Sequence, residues 1–215
     1  MAEKINWDYK KIIDEMQPEG ILQAYNYDNG FDIIETIQKL DISDEKSLKA
    51  VLNEIVLWKC NRRIMRKKTG KGNEYGTNTK EQDNEICKTI EEIKNINDTS
   101  NNTDGVEKII RSLMSFNGIR LPMASTIMNF FNPNAFPIID KRAYRVAMKL
   151  TCGNEDARGL LYREPSIDKA GDYYIGYLDA CKKVAEEYKE VEFKLIDKFL
   201  YQIDKSIGNQ VDGVP

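Results

Sequence analysis

Histidine is absent from all 215 residues. That absence removes Ser-His-Asp triads, Cys-His dyads and the common zinc sites together. Any acid-base work falls to carboxylates, lysines, tyrosines or cysteines. Cysteine itself is scarce, and the four residues, Cys60, Cys87, Cys152 and Cys181, show no CxxC or clustered metal spacing. They read as reduced core thiols, because free cysteine behaves as a small buried hydrophobe. Long apolar runs are missing as well: none approaches the ~20 residues that cross a bilayer. The opening Met-Ala-Glu-Lys-Ile-Asn-Trp-Asp lacks the apolar core of a secretion signal. The expectation is a cytoplasmic protein that engages no membrane.

Net charge is close to balanced, at -3, but the average hides a segregation. Between Ile55 and Asn73 stand Lys59, Arg62, Arg63, Arg66, Lys67, Lys68 and Lys71, with no acid among them. Between Lys108 and Asn154 stand Lys108, Arg111, Arg120, Lys141, Arg142, Arg145 and Lys149 against the single acid Asp140. Such tracts are the electrostatic footprint expected of a protein that meets phosphates. The plainer alternative is two solvated basic faces without a partner.

The hydrophobic period is helical almost throughout, and no stretch alternates as a strand does. Ile5, Tyr9, Ile12, Ile13 and Met16 mark a first helix that Pro18 and Gly20 are expected to end, and Ile33, Ile34 and Ile37 mark a second. Leu48, Val51, Leu52, Ile55 and Val56 define a third, with Ser43 as its expected N-cap. Along this third helix Lys59, Arg62, Arg63 and Arg66 continue nearly the face that was apolar a turn earlier, so the stripe should leave the core and line a cleft. Trp58 sits at the changeover, as a candidate pocket wall or as simple core. Residues 69–80 read as a loop that lacks the order of a phosphate-binding P-loop. A fourth helix carries Ile86, Ile90 and Ile93; helices follow at about 105–116, 122–131, 140–151, 171–188 and 190–205, and a loose tail at 206–215.

Val106 to Leu150 is the most specific part of the chain. Val106, Ile109, Ile110 and Leu113 give one amphipathic helix, Phe116-Asn-Gly-Ile-Arg-Leu121 reads as a tight turn, and Pro122 suits the first turn of the next helix. Gly118 supplies the positive φ that such a turn needs. The helix that follows is apolar on most sides and should be buried, with Ala124 and Ser125 small enough to admit a close neighbour. Asp140 then precedes a helix expected to turn Ala143, Val146, Ala147 and Leu150 inward and Arg142, Arg145 and Lys149 outward. Read alone, an aspartate in that place is an N-cap worth about 1 kcal/mol.

In Phe116, Gly118, Ile119, Met123 and Ala124, followed by Asp140, Arg145, Lys149 and Leu150, the chain resembles the helix-hairpin-helix DNA glycosylase superfamily over some 45 residues. A fainter likeness, through Trp58-Lys59 and the two C-terminal helices, extends to small bacterial proteins of that fold. The resemblance implies an all-α fold: a two-lobed helical bundle with its helix-hairpin-helix at about 105–131, a middle lobe at about 44–150, and a second lobe built from the N- and C-terminal segments. It also implies duplex DNA as partner, with one base flipped out of the stack. The backbone at Gly118, Ile119 and Arg120 would hold a phosphate, aided by Lys59, Arg62, Arg63, Arg66, Arg142, Arg145 and Lys149. Asp140 would be the catalytic carboxylate, which stabilises charge on the deoxyribose and activates water.

Two departures qualify the likeness. The second hairpin glycine is Arg120, and the place of the Schiff-base lysine of bifunctional members is taken by Pro122. No lysine adduct is therefore expected. The cysteine spacing excludes the iron-sulfur cluster of one branch, so no cofactor and no metal is expected beyond a monovalent cation at the hairpin, which the likeness allows. A monofunctional glycosylase, a DNA-binding module without chemistry, and an all-α protein-interaction domain all remain open at this level.

Overall fold

The computed structural model describes residues 5–27, 30–60, 80–116, 118–152 and 161–210, with backbone alone at 60 and 80–83. Among them the fold is all-α: α1 (Tyr9–Gln23), α2 (Phe31–Gln38), α3 (Glu45–Cys60), α4 (Lys80–Asn95), α5 (Thr103–Ser115), α6 (Leu121–Phe131), α7 (Lys141–Cys152), α8 (Ile167–Glu187), a 3-10 turn at Phe193–Leu195, and α9 (Ile196–Ser206). No described helix is long and apolar enough to cross a membrane. The chain divides into a middle unit, Asp28–Phe136 with Glu164–Ile175, and a terminal unit, Met1–Tyr27 with Pro137–Arg163 and Gly176–Pro215.

In the middle unit α6 is the pivot, packed against α2, α3, α4 and α5. This explains why its sequence is apolar all round: Leu121, Met123, Ala124, Ile127, Met128, Phe130 and Phe131 are each buried, and Ser125 and Thr126 turn their hydroxyls back onto the Pro122 carbonyl at 3.1 and 2.7 Å. Ile86, Ile90 and Ile93 of α4 and Val106, Ile109, Ile110 and Leu113 of α5 complete the core at the expected helical spacing. Beyond α6, the Asn132 amide donates to the Ile93 and Ile96 carbonyls at 2.9 and 2.8 Å, which satisfies acceptors at the open end of α4. At the start of α3 the cap is Asp44, not Ser43. Its carboxylate accepts the N–H groups of Lys46 and Ser47, and the Ser47 hydroxyl and N–H hold it below the usual carboxylate range.

In the terminal unit α9 packs against α7 and α1. Pro18 ends the first helical run as expected, but Gly20 does not take part in that end: a second run follows at once, so α1 is two helices joined across a kink. Proline keeps the residue before it out of the helical region; Gln17 takes ψ 154 accordingly, with a positive φ of 58, and the helix resumes with Pro18 in its first turn and Gly20 inside it. Nor is the tail loose from 206: Asn209 is 5% exposed, its amide donating to the Asn6 carbonyl and its side-chain oxygen accepting the Asn6 N–H at 2.7 Å. Residues 211–215 lie outside the described part. The sequence also places residues up to about 150 with the middle helices, whereas α7 groups with α1 and α9. The reason is a buried ionic centre that the hydrophobic pattern does not reveal.

That centre is Asp204, fully buried, whose carboxylate accepts from Arg145 Nε and Nη2 (both 2.6 Å), Arg142 Nη1 (2.8 Å), the Tyr9 hydroxyl (2.8 Å) and the Asn209 amide (3.0 Å). Arg145, expected to face outward, is 1% exposed. A buried guanidinium requires an anion and its remaining donors satisfied, and here one aspartate on α9 draws both arginines of α7 to itself. Cys181 is buried as expected, while Cys87 is half-buried and Cys152 exposed at the end of α7.

Candidate functional site

Asp140 stands immediately before α7, half-exposed, between the buried Ile138–Ile139 pair and the first turn of the helix. Its Oδ1 accepts the Ala143 N–H at 2.8 Å and its carbonyl accepts the Tyr144 N–H at 2.9 Å, so the capping role is realised. One carboxylate oxygen has a helix N–H as partner. The carboxylate as a whole keeps access to solvent.

The same unit carries a cluster of tyrosines that no motif announces. Tyr25 and Tyr27, just beyond α1, meet Tyr201 of α9 with ring centroids 5.4, 6.1 and 5.3 Å apart. The Tyr201 hydroxyl donates to the Tyr27 oxygen at 3.0 Å. Each ring also has a cation beside it: Lys198 at 5.8 Å from Tyr25, Lys205 at 4.3 Å from Tyr27 and Arg142 at 5.6 Å from Tyr201.

The three phenols are not equivalent. Burial, and then the negative charges of Asp197 and Asp140, push Tyr25 well above the ordinary tyrosine range. Burial and the bond to Tyr27, with Asp140 again contributing, push Tyr201 the same way. Tyr27 moves the opposite way, drawn down by Lys205 and by the hydroxyl of Tyr201, with Arg142 adding a smaller pull. Arg142, two positions after Asp140 in the first turn of α7, stands beside the Tyr201 ring and so ties the rings to this end of the helix.

The hairpin lies in the middle unit. Gly118 has φ +90, the left-handed value its turn was expected to need, and the Ile119 N–H closes that turn on the Phe116 carbonyl at 3.2 Å. Ile119 is buried, so it serves as an anchor of the turn, and its N–H is already engaged within it. Arg120 precedes α6 in extended conformation, exposed, with its Nε 4.0 Å from Glu164. Trp58 is half-buried and meets Phe130 edge-to-face at 5.0 Å, which is the core-packing role; Lys59 beside it is half-buried. Arg62, Arg63 and Arg66 lie outside the described residues, as do residues 69–79 of the loop expected at 69–80; its last residue, Lys80, is the first of α4.

The second basic tract does not survive folding as a continuous positive face. Lys108 pairs with Glu92 at 2.6 Å, Arg111 with Glu107 at 2.6 Å, and Arg142 and Arg145 with Asp204. Arg142 and Arg145 are thereby corrected from phosphate contacts to structural cations. Lys141 stays exposed and Lys149 half-buried on α7. Among the described residues no group of three or more cysteine or acidic side chains is placed to hold a metal.

Asp140, Arg142, Arg145 and Lys149 thus share the terminal unit, while Trp58, Lys59, Gly118, Ile119 and Arg120 belong to the middle unit. Sequence reasoning missed Tyr25, Tyr27, Tyr201 and Lys205. The available hint was that a chain with no histidine carries 11 tyrosines. Compared with known proteins, the chain matches no protein-family model, no curated protein and no solved structure.

Proposed function

We propose that this is a cytoplasmic DNA-binding protein of the helix-hairpin-helix glycosylase kind, which hydrolyses the bond between a modified or mispaired base and its deoxyribose. The observation that carries the reading is Asp140: a half-exposed carboxylate on a helix N-terminus, with a cluster of tyrosine rings in reach of its charge. A carboxylate so placed can stabilise the cation that develops on the sugar and take a proton from the attacking water. The aromatic faces suit a base taken out of the stack. The turn at Gly118, with Arg120, Lys59, Arg62, Arg63, Arg66 and Lys149, supplies the phosphate contacts of the proposal. Pro122 in the lysine position argues for direct hydrolysis.

The test is base release from duplexes that each carry one deaminated, oxidised, alkylated or mispaired base, read as alkali-sensitive abasic sites. Wild type should release at least one of them, Asp140→Asn none, and borohydride should trap no protein-DNA adduct. An active Asp140→Asn protein overturns the catalytic assignment. A second reading, DNA binding without chemistry, is favoured by the use of the Asp140 oxygen as a helix cap. Salt-dependent duplex binding without release from any substrate would select it, with affinity falling on a log-log slope of roughly 0.9 per phosphate contact.

A further inference from the structure

The excision chemistry just proposed needs two proton transfers, and Asp140 accounts for one. A base that leaves as an anion leaves poorly, so a group able to protonate it lowers the barrier, typically by a factor of about 10²–10⁴. With histidine absent from the chain, that group is a carboxylic acid, a lysine, a tyrosine or a cysteine.

Tyr27 meets the requirements one by one. At 42% exposed it is the most open of the three clustered rings, so a ligand can reach it. In its bond with Tyr201 it is the acceptor, at 3.0 Å, so its own proton is not spent there. Two groups of α9 converge on it, the Lys205 ammonium over its ring at 4.3 Å and the Tyr201 hydroxyl donating to its oxygen, and both stabilise the oxyanion left after proton transfer. Arg142 reaches it from α7, and Tyr25 is its neighbour on its own segment. Tyr201 connects it to the start of α7, where Arg142, two positions after Asp140, stands 5.6 Å from the Tyr201 ring, and the Asp140 charge falls on Tyr25 and Tyr201. Tyr25 and Tyr201 are themselves poor candidates, because burial and that negative charge both oppose loss of their protons.

We infer that Tyr27 is the general acid of the Asp140 site, donating its phenol proton to the departing base while Asp140 takes a proton from water. The inference rests on the excision reading. In the step, the glycosidic C–N bond breaks and its electron pair leaves on the base nitrogen, which receives the Tyr27 proton. The water oxygen bonds to the sugar carbon and gives its proton to Asp140. Solvent then returns a proton to the tyrosinate and takes one from the aspartic acid, so both groups are restored.

The experiment compares wild type with Tyr27→Phe, which keeps the ring and its packing, on two duplexes that differ only in the leaving base. One carries a deaminated base, which needs a proton to leave well; the other carries an N7-alkylguanine, already cationic, which leaves neutral without one. Tyr27→Phe should lose about 10²-fold or more on the first and stay within a few-fold of wild type on the second. Independently of turnover, the absorbance of tyrosinate should show one tyrosine ionising below the rest, lost in Tyr27→Phe and shifted up in Lys205→Met.

Equal losses on both duplexes, no loss on either, activity confined to the alkylated base, or an early-ionising tyrosine that persists in Tyr27→Phe each overturn the inference. In those cases wild-type excision leaves the Asp140 reading standing. A wild type that releases neither base nor any other overturns both.

Discussion

Arg145 separates the two pictures of this protein most sharply, because a surface phosphate contact and a buried structural cation respond oppositely to replacement. Substituting Arg145→Met keeps most of the aliphatic stem and removes the charge. Asp204 then loses two charge-assisted bonds of 2.6 Å but keeps Arg142, Tyr9 and Asn209. Removing one partner of a buried pair costs about 3–5 kcal/mol when the other is stranded. Because Arg142 remains to neutralise Asp204, the expected loss is at the lower end, roughly 3 kcal/mol. Asp204→Asn should cost more, about 5 kcal/mol, since it leaves the 2%-exposed Arg145 side chain and the 15%-exposed Arg142 side chain without their anion. The double variant should cost clearly less than the two losses added, because the groups act as one network. At about 2–4 °C per kcal/mol for a chain of this size, Arg145→Met lowers the melting temperature by roughly 6–12 °C. Urea and thermal unfolding followed by circular dichroism measure these losses, and salt-dependent duplex binding runs alongside. An Arg145→Met protein with wild-type stability and weakened DNA binding would refute the buried-cation account and restore the outward-facing arginine.

Stability should be level up to about pH 8, fall from about pH 8.5 and fall more steeply beyond about pH 10: burial raises the Cys181 thiol and then the phenols of Tyr9, Tyr25, Tyr177 and Tyr201. The folded chain then holds protons that the unfolded chain has released; among the described residues Tyr27 opposes the trend, and urea midpoints against pH that stay flat throughout would contradict it. Gly118→Ala should cost about 1–3 kcal/mol from backbone strain alone, since φ is +90 and the space a Cβ would fill is open. Gly30→Ala should cost more, because the same kind of strain (φ +65) adds to a Cβ only 2.7 Å from the Phe130 ring; equal losses would mean that the ring moves aside. Asp140→Ala should lower stability by about 1 kcal/mol while Asp140→Asn leaves it nearly unchanged, because asparagine caps almost as well. A large loss in the asparagine variant would make the charge itself structural.

The sequence determined what depends on near neighbours along the chain. Apolar residues three and four apart marked α3, α4, α5 and α6, and each buried the face its period indicated. Phe116-Asn-Gly followed by Pro122 placed a turn with positive φ at Gly118, because few other residues tolerate that backbone. Asp140 was legible as a cap from its place before α7. Tertiary structure alone decided where charges go, because an ion pair joins residues that the chain keeps far apart. On α7 the period of Arg142 and Arg145 fits an outer face, yet Asp204, some sixty residues later, draws both inward and gathers α7 to α9. Lys108, read as part of a positive tract, is answered across the α4–α5 packing by Glu92, whereas the answer to Arg111, Glu107 one turn back on the same helix, is a local pairing of the kind the sequence does hold. The tyrosine site follows the same rule: Tyr27 and Tyr201 are separated by 174 positions, and only folding brings the hydroxyl of one to the oxygen of the other. Local periodicity records how much of a side chain is apolar, and it carries no information about which distant counter-charge will meet a polar one.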